Sequence, residues 1–147
     1  DILGSGTQSR LYKSLVIDQK IAAYAAAWYS GDQMDSGTFG VYGAPNPGVD
    51  VAKVEAAMDA VLADLLKNGV TQQELDRVRN QAIAERVYTL DNQAALARMA
   101  GVALSIFDRD VEIGKVTLDD IRAAAARIIV LKRSVTGVLL PEPQTLN

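Results

Sequence analysis

Neither histidine nor cysteine occurs among the 147 residues. That removes imidazole and thiolate zinc ligands, disulfides, cysteine nucleophiles and any Ser-His-Asp relay together. Carboxylates, hydroxyls and guanidinium groups remain to do chemistry. Asp108, Asp110 and Glu112 form the densest acidic cluster, but their alternate spacing lacks the glycine turn and bidentate glutamate of a calcium loop, so no metal ligand is assigned. Asp119 and Asp120 fit negative charge at a helix N-terminus. Gly37, Gly40 and Gly43 lie in and around an expected strand and do not open a helix, as a phosphate-binding fingerprint requires. Tyr24, in an apolar run, reads either as a half-buried aromatic with its hydroxyl at the surface or as a donor to a peptide carbonyl. Arg10 beside Tyr12 reads as a helix start with a surface cation.

The elements that position these groups follow from periodicity. Gly4 and Gly6 suit the left-handed close of an earlier helix, and Ser9 can cap the next. Leu11, Leu15 and Val16 make an apolar stripe that predicts a short helix over residues 10–19. Residues 22–30 and 37–44 are expected to form an antiparallel strand pair joined by the polar stretch 30–36, and Pro45-Asn46-Pro47-Gly48 ends the second strand. Asp50 should cap a helix over residues 51–67 whose inner face carries Val54, Met58, Val61, Leu62, Leu65 and Leu66, with Gly69 as its stop. Thr71-Gln72-Gln73-Glu74 is a capping-box pattern. It opens a helix with Leu75, Val78, Ala82, Ile83, Val87 and Leu90 inward. A break near Asp91-Asn92 precedes another helix through Leu104. A last helix runs from Thr117 to about Ile129, and residues 134–140 read as a closing strand ended by Pro141 and Pro143.

With 49% hydrophobic and 22% charged residues, the composition is that of a globular chain of one domain. A net charge of −3, with no basic run, argues against a nucleic-acid surface. The longest apolar runs, such as residues 22–28, fall far short of a membrane span. The chain opens at Asp1 without an initiator methionine, and its first residues read as a helix end, so a fragment is expected.

The ordered pieces LGSGTQSRLYKSLVIDQKIAAY, GTFGVYGAP, NGVTQQEL, RVRNQ, VTLDDI and SVTGVLLP, spread over roughly residues 3–141, resemble the insulinase/pitrilysin family of zinc metallopeptidases. In that family a catalytic domain with a His-x-x-Glu-His helix is followed by a related domain that lacks it, and the two enclose a substrate chamber. The resemblance implies that residues 1–147 are the later part of the second, non-zinc domain, a single partial domain. The fold it implies is α+β, an antiparallel sheet packed on one face by several helices. It implies no metal in this chain, with zinc in the catalytic domain of the parent protein or a partner subunit. Tyr24 becomes a substrate-binding residue, the donor to peptide substrate. Family members commonly carry an arginine seven residues before that tyrosine, and here Ile17 occupies the position. The segment FDRDVEIGKV, residues 107–116, is shorter than its family counterpart.

The function expected is a non-catalytic wall of the chamber of a zinc protease acting on peptides or proteins, inactive alone. Its partners would be the catalytic domain and the peptide, without nucleic acid or membrane insertion, and family habit points to the bacterial periplasm. The alternatives are a scaffold homologue of processing peptidases without proteolytic activity, which Ile17 favours, and an unrelated helix-rich interaction domain.

Overall fold

The computed structural model describes residues 1–30, 37–90 and 114–140, with side chains throughout except at 85–90 and 131. A turn-rich entry leads into a π-helix, Tyr12–Asp18, followed by strand β1, Ala22–Ser30, strand β2, Thr38–Pro45, and helix α1, Val51–Asn68. Helix α2, Gln72–Leu90, helix α3, Leu118–Ile128, and a 3-10 turn, Leu131–Arg133, complete the described elements. The architecture is α+β, with helices packed on one face of the two-stranded antiparallel sheet.

The stripe expected over residues 10–19 does form a helix, but Gln19 N–H bonds the carbonyl of Ser14, five residues back, which widens it to π geometry. Leu11 and Leu15 are fully buried, each contributing roughly 2 kcal/mol of apolar burial. The helix ends at Lys20, which takes a left-handed φ of 54°. Asn46 holds that turn, since its side-chain amide donates to the carbonyl of Lys20 at 2.8 Å and its backbone N–H to that of Ile21 at 2.9 Å. The end of β2 thus fixes where β1 begins.

In α1, Asp50 accepts a hydrogen bond from the N–H of Ala52 at 3.1 Å, as an N-cap should. Val54, Leu62 and Leu65 are buried and Met58 and Val61 pack against the same core, whereas Leu66 turns to solvent. Gly69, at φ 71°, closes the helix with its N–H on the carbonyl of Leu65. Thr71 and Glu74 then form both halves of the capping box. The Thr71 hydroxyl accepts from the N–H of Glu74 at 3.2 Å, and the Glu74 carboxylate accepts from the N–H of Thr71 at 2.8 Å. Thr71→Ala leaves a helix N-terminal donor without its partner and should lower stability by about 1 kcal/mol; urea unfolding checks it, and an unchanged midpoint would contradict the cap's contribution.

Three expectations are corrected. Gly4 is not a left-handed helix stop: its φ is not positive, and its smallness serves a close approach to β1. Ile83 is 62% exposed, because α2 packs through Leu75 at its start and then leaves the core. Residues 134–140 form no strand, and Val135 and Leu139 are almost wholly exposed. A groove of about 530 Å³, floored by Val54, Met58 and Leu62, separates Ser134–Val138 from β2. No ladder can form across that gap. The break near Asp91-Asn92, the helix through Leu104, the connection over 31–36, the Asp108, Asp110 and Glu112 cluster, the short segment before Thr117, and the prolines at 141 and 143 lie outside the described residues.

Candidate functional site

The sheet has two chemically different faces. Ala25 pairs with Gly43, where an added Cβ would meet Val54 and Met58 of α1, so that face looks toward the helices. Side chains alternate along a strand, which puts Ala26 and Trp28 on the opposite, outer face, with their register partners Tyr42 and Gly40. Strict alternation from buried Ala22 would place Tyr24 inward. A register shift between Ala22 and Tyr24 inserts one extra residue on β1 and turns Tyr24 outward instead.

The result is an exposed aromatic group on an uncharged surface. Tyr24, Trp28 and Tyr42 are 45%, 46% and 48% exposed, and neither β1 nor β2 contains a charged residue. The rings of Tyr24 and Tyr42 sit 5.4 Å apart between centroids, tilted by 37°. The Tyr42 hydroxyl donates to the Tyr24 hydroxyl at 3.3 Å, an arrangement that leaves Tyr24 its own proton for an external acceptor. Donation to Tyr24 holds the Tyr42 proton and raises its ionisation above the ordinary phenol range. Sequence reasoning singled out Tyr24 and missed Tyr42 and Trp28. The missed signal was the Tyr-x-x-x-Trp spacing opposite Gly-x-Tyr, legible only once the register is known.

The other residues weighed from sequence fall elsewhere. Ile17 is half exposed on the π-helix and offers no charge. Arg10 is committed to structure: Nε and one terminal nitrogen donate to the two oxygens of Glu74 at 2.7 and 2.8 Å. Its side chain also reaches Asp64 at 3.2 Å and the carbonyl of Gly69 at 2.8 Å. With the Arg10 guanidinium and Thr71 both bonded to it, the Glu74 carboxyl is drawn down to about 2. Asp119 stands in the first turn of α3, and Asp120 completes a second capping box with Thr117, whose hydroxyl and N–H hold its carboxyl below the usual range.

Zinc does not fit this chain. Its protein ligands are imidazole, thiolate and a minority of carboxylates; the first two are absent from the sequence, and the described residues contain no group of three or more acidic side chains able to hold an ion. Among the described residues no helix is long and apolar enough to cross a membrane.

Comparison with known proteins places this geometry. An uncharacterized zinc protease of Streptomyces coelicolor is 30% identical over 145 residues, across 92% of this chain but only 31% of its own length. The solved inactive peptidase domain from Bordetella parapertussis matches with a TM-score of 0.80 at 26% identity, covering 99% of this chain and 81% of that one. A protease from Helicobacter pylori shares the fold, with a TM-score of 0.77 at 23% identity over 86% of this chain and 32% of its own. Residues 1–82, which carry the π-helix, both strands, α1 and the start of α2, match the family described as the peptidase M16 inactive domain. With more than half its length in that match, and with the donor set for zinc missing, this chain belongs to the family of inactive M16 peptidase domains.

Proposed function

We propose that this domain forms one wall of the peptide chamber of a zinc protease and binds extended substrate there, while a catalytic domain in the same or a partner chain holds the metal. The observation that carries this reading is the outward Tyr24 hydroxyl, supported by Tyr42 and keeping a proton to donate. A peptide carbonyl, or the oxyanion that develops on it, is the acceptor such a donor suits. Family membership and the zinc-protease relative support the wider setting. The domain contributes no metal ligand and no general base.

The test is Tyr24→Phe in the protease assembled with its catalytic domain. The change keeps the ring and deletes the hydroxyl, so kcat/KM should fall about tenfold, the worth of one hydrogen bond, while the unfolding midpoint stays in place. Wild-type kinetics would overturn the role given to Tyr24. Ile17 supports a second reading, a scaffold without proteolytic activity, because a neutral side chain stands where the family places its substrate-holding arginine. An assembled complex that cleaves no peptide would favour it.

A further inference from the structure

Trp28 has a specific posture. A Cβ built on Gly40 would lie 2.5, 2.6 and 2.9 Å from Nε1, Cε2 and Cζ2 of its indole. Near-equal distances to three ring atoms mean that the ring lies across Gly40, with one π-face against the strand. The indole is nonetheless 46% exposed, so the other face is open to solvent. Trp28 stands four residues from Tyr24 on one strand face, about 13 Å away at 3.3 Å per residue. An extended peptide lying along β1 with a carbonyl at Tyr24 therefore carries a side chain over the indole about four residues away.

The chemistry of that side chain follows from charge. An indole face is the best aromatic partner for a cation. Neither strand supplies a lysine or arginine to occupy it, and the chain as a whole is negative, at −3. Both factors favour a positively charged peptide and disfavour an acidic one. Resting on the peptide-binding reading above, we propose that the open face of Trp28 is a specificity subsite for a cationic side chain, arginine above all, in an extended peptide whose backbone meets Tyr24. Arginine is preferred because its planar guanidinium stacks on the ring as well as being charged.

The chain contains a single tryptophan, so its fluorescence reports directly on the subsite. The probes are ten-residue alanine-based peptides, identical but for one central residue: arginine, citrulline, leucine or glutamate. Citrulline preserves shape and hydrogen bonding and removes only the charge. The arginine peptide should change the tryptophan emission saturably and bind about fivefold more tightly than the citrulline peptide, with glutamate weakest. By calorimetry, Trp28→Leu should abolish that preference, and Gly40→Ala, which pushes the ring off its seat while keeping it, should reduce it. Equal binding of the arginine and citrulline peptides, or a preference that survives Trp28→Leu, would overturn the subsite. The underlying reading is tested separately by Tyr24→Phe, which should weaken all four peptides alike. If it weakens them while arginine and citrulline bind equally, the subsite falls and the peptide-binding reading stands; if no peptide binds saturably, both fall.

Discussion

Gly4→Ala should destabilise the domain by about 3 kcal/mol, at the upper end of what overpacking costs. A Cβ on Gly4 would sit 1.9 Å from the backbone nitrogen of Ala27, 2.4 Å from its Cβ and 2.6 Å from its Cα. Two of those atoms are backbone of β1, so no flexible side chain can swing away. The strand would have to move, and with it the hydrogen bond from the N–H of Ala27 to the carbonyl of Gly4 at 3.2 Å. Gly6 provides the internal control. It has open space around its Cβ position but a φ of +76°, so Gly6→Ala should cost only the left-handed penalty, roughly 1 kcal/mol. Urea unfolding of both variants reads the difference; Gly4→Ala within 0.5 kcal/mol of the parent would refute the close approach.

Arg10→Met should cost about 2 kcal/mol, because it leaves Glu74 without its bidentate partner and the carbonyl of Gly69 without a donor. Arg10 ties the start of the π-helix to the junction between α1 and α2, and methionine keeps the apolar stem while deleting the charge. The loss should depend on pH. Glu74 is held at about 2, against an ordinary value of 4.5. A depressed carboxyl stabilises the fold above its unfolded value and ceases to do so as pH falls through the folded one. The parent should therefore lose stability between pH 4.5 and about 2, and Arg10→Met should lose less over that window, since only the Thr71 bonds still favour the ionised form. Parallel pH profiles for the two proteins would refute the coupling.

Elements governed by local chemistry were legible in the chain. Asp50, Gly69, Thr71 with Glu74, and Thr117 with Asp120 act within a turn or two of themselves, and the helix boundaries they imply match the observed ones within a residue or so. The absence of zinc chemistry was equally legible, because it depends on which residue types exist and not on where they are. Residues 134–140 show the opposite case. Alternating apolar residues predict a strand, but a strand exists only with a hydrogen-bonded neighbour, and a groove lies where that neighbour would be. Ile83 likewise follows the helical period, yet burial also needs something to pack against.

The candidate site divides in the same way. Sequence alone supplied Tyr24, its family likeness and the want of an arginine at position 17. It could not supply the face on which Tyr24 stands, since one extra residue on β1 between Ala22 and Tyr24 reverses every inside and outside assignment that follows. Register also brought in Tyr42 and laid Trp28 across Gly40, joining residues 12 to 18 positions apart in the chain. Composition and local capping are properties of residues and their near neighbours, so the sequence by itself determined the inactive character and the helical frame. Pairing between strands is a property of two segments at once, and only the tertiary structure decided which aromatics share a surface and which way they point.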